Sequence, residues 1–152
     1  MKKIIRLNLL VLLAALTLSF RGYAQENKPT LNHVAICAHN LKTSVDFYTD
    51  VLELTKIPNP FHDTVHQWFS IGPGTALHVI QAGCPTVVHD INNHLCFNVP
   101  SLEDFMKHLD KLNIKYGNWA GDYKKTQLRA DGVVQIYFQD PDGYWIEVNN
   151  AK

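Results

Sequence analysis

HVAICAHNLKTSVDFYTDVL (residues 33–52) and HLCFNVPSLEDFMKHLDKLN (residues 94–113) align without a gap at an offset of 61 (94 − 33 = 61). Under that offset Leu41 meets Leu102, Val45 meets Met106, Tyr48 meets Leu109 and Val51 meets Leu112. An internal repeat constrains architecture before any local reading does. Here it says that one unit, opening on a histidine, is stated twice.

Each unit begins as a strand, because its apolar residues alternate. Val34, Ile36 and Ala38 face one way and Leu31, His33, Ala35 and Cys37 the other; Leu95, Phe97 and Val99 are opposed to His94, Cys96 and Asn98. Asn40 then caps a helix to about Leu52, with Leu41, Val45, Tyr48 and Leu52 on one stripe. Ser101 with Asp104 gives a capping-box-like start to the second helix, which ends near Asn113. Further strands are predicted at 54–57, 65–71 and 75–81, and again at 127–130, 133–139 and 144–149. Gly72-Pro73-Gly74, Asp131-Gly132 and Asp140-Pro141-Asp142-Gly143 supply turns. The expected fold is α+β: two paired βαβββ modules with mixed sheets, module one at 31–81, a linker at 82–92 and module two at 93–149. Each helix should cover its own sheet, leaving the opposite faces to form a shared concave site.

The first 24 residues read as a signal peptide. Lys2, Lys3 and Arg6 precede an apolar run from Leu9 to Leu18, and Gly22-Tyr23-Ala24 offers small residues for cleavage before Gln25. Export, periplasmic or secreted, is therefore expected. Without the leader 128 residues remain (152 − 24), enough for one domain with a real core, at a net charge of −4 (10 basic minus 14 acidic). No basic stripe points to nucleic acid, and no second apolar stretch is long enough to hold the cleaved chain in a membrane. Three cysteines leave at least one thiol free; Cys37 and Cys96, on the two leading strands, are the pair expected to bridge if any does.

Period-2 counting places chemistry on the faces away from the helices. Leu77 and Val79 pack under the first helix, so His78 faces outward; Ile146 and Val148 pack under the second, so Trp145, Glu147 and Asn149 face outward. His33, His78, His94 and Glu147 thus form a set of three imidazoles and a carboxylate, suited to divalent zinc, nickel, iron or manganese. Trp68, Trp119, Arg129 and Tyr137 are candidates for gripping a small-molecule substrate. Residues 117–125 are read as a mobile loop with Gly117 and Gly121 as flexible points, carrying Lys124 and Lys125 to attract an anion. His39, His62, His66, His89 and His108 fall in loops or on helix surfaces and are given no role.

LNHVAI, SVDFYTDVL, ALHVIQ, NHLCFNV and FQDPDGYWIEV, in that order, make the chain resemble the vicinal oxygen chelate superfamily, which includes glyoxalase I, fosfomycin-resistance enzymes and extradiol dioxygenases. The resemblance spans Leu31 to Asn149 and implies a metal held by His33, His94 and Glu147, with His78 in the fourth place. It implies a lyase or isomerase whose substrate chelates the metal through neighbouring oxygens, and a possible homodimer. Glyoxalase I itself carries a carboxylate at the position of His78, where it serves as base. The proton transfer here then falls to a hydroxide on the metal or to Glu147, the expected catalytic residue. The alternatives are an iron-dependent ring-cleaving dioxygenase using two histidines and one carboxylate, and a non-catalytic drug-sequestering protein. Ala35 and Gln127 stand where a fosfomycin-resistance enzyme is expected to carry a hydroxyl and a lysine.

Overall fold

The computed structural model describes residues 28–152, so the expected signal peptide lies outside the described residues. Two four-stranded mixed sheets and two helices make up the fold. The first module runs β1 (His33–Ala38), α1 (Leu41–Asp50), β2 (Lys56–Ile57), β3 (His66–Gly72) and β4 (Thr75–Gln81). The second repeats the order: β5 (His94–Asn98), α2 (Leu102–Lys111), β6 (Gln127–Leu128), β7 (Val134–Gln139) and β8 (Trp145–Asn149). The sheets are ordered β1-β4-β3-β2 and β5-β8-β7-β6. The leading strand of each is parallel to its last strand, and the other pairings are antiparallel. The repeat seen in sequence is thus a repeat of topology.

Local chemistry fixes both helices. Asn40 Oδ1 accepts from the Thr43 N–H at 3.0 Å and Ser101 Oγ from the Asp104 N–H at 3.2 Å, each satisfying a donor that the first turn leaves open. Glu103 and Asp104 in the first turn of α2, with Lys111 in its last, complement the helix dipole. The most buried positions of α1 are Ser44, Phe47 and Tyr48, with Val51 just beyond, rather than the whole Leu41–Val45–Tyr48–Leu52 stripe. The reason is that α1 touches both sheets. Tyr48 packs on Phe69 of β3 with ring centroids 5.9 Å apart, while Phe47 reaches Phe138 of β7 at 6.3 Å.

One core results. Ile36, Ala38, Phe69, Leu77 and Val79 of the first sheet and Ile136, Phe138, Ile146 and Val148 of the second join it, together with Leu109 of α2. Full burial of each large side chain stabilises by about 1.5–3 kcal/mol before entropy is subtracted. Polar bonds cross the same seam. Ser44 Oγ donates to Asp142 Oδ2 at 2.7 Å, and the Cys37 N–H donates to the Tyr144 hydroxyl at 3.1 Å. Since both apolar faces meet in this core, the polar face of each sheet turns away from it.

Two expectations are corrected. Cys37 bonds to Cys84, with Cα atoms 5.9 Å apart, and not to Cys96, whose thiol is free. Parallel pairing sets Ala38 beside Gln81, so the chain leaving β4 passes Cys37 three residues later, whereas Cys96 belongs to the other sheet. Gly117 is not a flexible point: its N–H and C=O bond the backbone of Tyr137 at 3.0 and 2.8 Å, and a Cβ there would lie 2.5 Å from Asp122 O. Lys124 is paired with Asp110 at 2.8 Å.

Candidate metal and substrate site

The first sheet carries a cluster of rings on its outward face. His78, on β4, is only 6% exposed. It stacks on Trp68, its neighbour across the ladder, with centroids 3.9 Å apart, and Phe61 lies 5.8 Å away nearly parallel to it. His33 meets Trp68 and His78 edge-on at 5.1 and 6.1 Å. Its Nδ1 is held by Asn32 Oδ1 at 2.8 Å, which leaves Nε2 as the free lone pair of the neutral ring. Burial holds His78 below the ordinary histidine range, and the His66 and His33 rings push the same way. A neutral imidazole is the form a metal needs. His78 Nε2 and Trp68 Nε1 are both buried without a hydrogen-bond partner, a cost that a ligand at this face would relieve.

The second sheet presents a carboxylate. Glu147 is 4% exposed; its Oε1 accepts from Asn149 Nδ2 at 2.9 Å and from the Cys96 thiol at 3.1 Å, and its Oε2 accepts from the Tyr137 hydroxyl at 2.7 Å. Gln135 in turn donates to the Tyr137 oxygen. Burial works against ionisation of Glu147, but these three bonds and the His94 ring outweigh it and hold the carboxyl below its ordinary value. The same burial, with Glu147 adjacent, pushes the Cys96 thiol up to about 12 and the Tyr137 hydroxyl higher still. Cys96 is thus a hydrogen-bond donor here, not a thiolate.

His94 completes this side. Its Nδ1 bonds Ile91 O at 2.7 Å, and because a carbonyl only accepts, that nitrogen carries the proton. Nε2 is left facing Glu147 Oε2 at 3.4 Å, beyond good hydrogen-bonding distance. When the ring is neutral, two lone pairs face each other across this half-buried gap and a cation between them would satisfy both; when it is charged, it is itself the partner of Glu147. A backbone carbonyl holding the far nitrogen is also how metal-ligating histidines are commonly oriented. The residues therefore fit a divalent ion.

The four sequence-predicted ligands come together as two pairs, His33 with His78 and His94 with Glu147, each on its own sheet. Among the described residues no three histidine, cysteine, aspartate or glutamate side chains are grouped to hold a metal. The substrate candidates divide likewise. Trp68 belongs with His78. Trp119 and Arg129 belong with Glu147: the Trp119 ring is 5.8 Å from Tyr137, and Arg129 Nη1 is 3.9 Å from Glu147 Oε1 while Nη2 is spent on Asp131 at 2.6 Å. A groove of about 720 Å³ between Tyr116, Tyr123, Tyr137 and Trp145 touches none of the four ligands. A smaller cavity of about 380 Å³, bounded by Asn32, Pro58, Pro60, Trp68 and Ala76, adjoins His33.

Two residues near His78 escaped the sequence reading. Phe61 is held over the site by a loop, and His66, placed among the histidines without a role, lies on β3 on the same face as Trp68. Extending the alternation of β3 by one step from Trp68 back to His66 would have found it.

The family profile of the Glyoxalase/Bleomycin resistance protein/Dioxygenase superfamily matches residues 30–148. A relative named glyoxylase I 4 from Arabidopsis thaliana is 28% identical over 130 residues, 80% of this chain and 71% of its own length. A lactoylglutathione lyase from Pseudomonas putida is 24% identical over 149 residues, 77% of this chain and 82% of its own. Among solved structures, a fosfomycin resistance protein, FosX, from Listeria monocytogenes shares the fold with a TM-score of 0.65 at 17% identity, covering 82% of this chain and 95% of that one.

Proposed function

Because the chain belongs to the Glyoxalase/Bleomycin resistance protein/Dioxygenase superfamily, we propose that it is a metal-dependent lyase or isomerase of glyoxalase type, acting on a small substrate with two neighbouring oxygens. The observation that carries this is the His94–Glu147 pair, set 3.4 Å apart with the far nitrogen of His94 committed to Ile91 O. His33, His78, His94 and Glu147 hold the ion, and when bound it supplies a Lewis acid that stabilises negative charge developing on substrate oxygen. Asn149, Cys96 and Tyr137 keep Glu147 ionised and fixed in direction. Trp68, Trp119 and Arg129 orient the substrate from the two sheets.

The two pairs face away from one shared core, so a complete set of four is assembled from two copies of the chain related by a two-fold axis. His33 and His78 of one copy then meet His94 and Glu147 of the other, and such an isologous pairing makes two equal sites. Export fits the same picture, since the Cys37–Cys84 bridge belongs to an oxidising compartment.

The test is metal loading followed by turnover. Purified protein is reconstituted with zinc, nickel, iron or manganese, and its metal content and shift in melting temperature are measured. Hemithioacetals of methylglyoxal with glutathione and with smaller thiols, and small 2-hydroxy ketones, are then offered. Metal in fewer than about a tenth of the chains after reconstitution sinks the proposal, because sites of this ligand type bind tightly. One observation favours a second reading. His78 is covered by Phe61 and Trp68, and if it stays off the metal the remaining two histidines and one carboxylate make the triad of an iron oxygenase. Oxygen uptake by the iron-loaded protein with a catechol separates the two.

A further inference from the structure

A histidine stands where a carboxylate base would act in glyoxalase I, and the oxygens of Glu147, the other candidate, are committed to Cys96, Tyr137 and Asn149, which leaves room for a separate base. We propose that His66, oriented by Asp63, is the group that takes the carbon-bound proton of the substrate. This rests on the lyase or isomerase reading above.

The geometry is that of a histidine–aspartate dyad. His66 Nδ1 lies 2.6 Å from Asp63 Oδ2, so the carboxylate holds the proton on Nδ1 and leaves Nε2 as the free lone pair. An acid oriented behind an imidazole in this way selects its tautomer and stabilises the imidazolium that forms. Asp63 is itself fixed: its Oδ1 accepts from the Val65 and His66 N–H groups at 3.1 Å each and from Asn59 Nδ2 at 3.3 Å. Asn59 also binds the Asp63 and His66 carbonyls, and its Oδ1 receives the Phe61 N–H at 2.9 Å. The loop thus spends its polar groups on itself. What it presents outward is Phe61 and the His66 ring, tilted at 36° to one another with centroids 4.7 Å apart.

The dyad faces the site. His66 shares the outward face of β3 with Trp68, and its ring centroid is 5.0 Å from that of His78. The side chain is 20% exposed, open enough for a substrate carbon to approach Nε2 and sheltered enough by Phe61 to limit competing water. Balance is simple. The C–H proton passes to Nε2, its electron pair forms the carbon–carbon double bond of an enediolate as the carbonyl π pair moves onto oxygen, and the imidazolium returns the proton to the neighbouring carbon while the hydroxyl proton passes to the adjacent oxygen. No oxidant or co-reactant is required.

The test uses the full chain and hydroxyacetone as probe, following exchange of its carbon-bound hydrogens for solvent deuterium by NMR. With metal loaded, His66→Gln should slow exchange by about 10²–10⁴-fold, the range for loss of a general base, with half-saturation by the probe and metal content unchanged. Asp63→Asn should slow it less, and added imidazole should partly restore His66→Ala. In metal-free protein the His66 Nδ1–H resonance should move in Asp63→Asn, a readout independent of turnover. Wild-type exchange matched by His66→Gln overturns the dyad and leaves the isomerase reading standing. No exchange in loaded wild type overturns both.

Discussion

The Tyr48 hydroxyl donates to Asp140 Oδ2 at 2.7 Å, tying α1 to the turn after β7 across 92 residues. Asp140 Oδ1 meanwhile accepts from the backbone of Asp142 and Tyr144, closing the turn that launches β8 and so aims Glu147. One buried carboxylate therefore joins the two modules and sets the strand that carries the candidate ligand.

Tyr48→Phe keeps the ring in the core but strips this bond, and should cost about 1–3 kcal/mol, the penalty for an unsatisfied buried group. Burial already holds Asp140 above the ordinary aspartate value despite the bonds from Tyr48, Tyr144 and Asp142. A carboxyl raised in the folded state contributes stability at low pH, lost as pH rises through its folded value. Removing the Tyr48 bond raises it further, so the variant should lose more stability at pH 7 than below about pH 3.9, the unperturbed value. Urea unfolding at both pH values checks this. A deficit that does not grow with pH would contradict it.

Unreduced, denatured protein should titrate one thiol, Cys96, and three after reduction. Cys84→Ser should then lower stability by about 2–4 kcal/mol, the usual effect of opening a closed loop, here with a sequence separation of 47. Three thiols without reductant would show that the bridge does not form.

Gly117→Ala places a Cβ 2.5 Å from Asp122 O, and that carbonyl is fixed by the Asn118 and Lys125 N–H groups. The strain should cost about 1–3 kcal/mol and disturb the loop carrying Trp119, seen as a shift in its fluorescence. An unchanged melting temperature would show that the loop yields.

The sequence disclosed the order of elements, the sheet faces and the caps at Asn40 and Ser101, because period-2 alternation and side-chain capping are local. It could not disclose how the two sheets are turned. Alternation puts His33, His78, His94 and Glu147 on outward faces, but whether those faces meet depends on what the apolar faces do. Here the Phe47–Phe138 and Tyr48–Asp140 contacts bring the apolar faces together. The Cys37–Cys96 expectation failed for a related reason: matching positions in a repeat need not be neighbours. The parallel β1–β4 pairing, which alternation alone does not reveal, is what brings Cys84 beside Cys37.

The proposed sharing of the site between two copies makes a quantitative demand. His33→Ala and Glu147→Gln each break every site in their own homodimers, so each alone should lose tight metal binding and turnover. In a mixed dimer, one site joins the intact His33 of one copy to the intact Glu147 of the other, and its mate carries both defects. Equal amounts exchanged to equilibrium give half mixed dimers with one good site in two, so metal content and activity should return to about a quarter of wild type, as two-fold pairing requires. A site closed within a single chain predicts no recovery at any ratio, because every chain in the mixture is defective. Measuring bound metal beside turnover keeps the geometry separate from the chemistry: metal returning without activity would uphold the shared site while removing the isomerase.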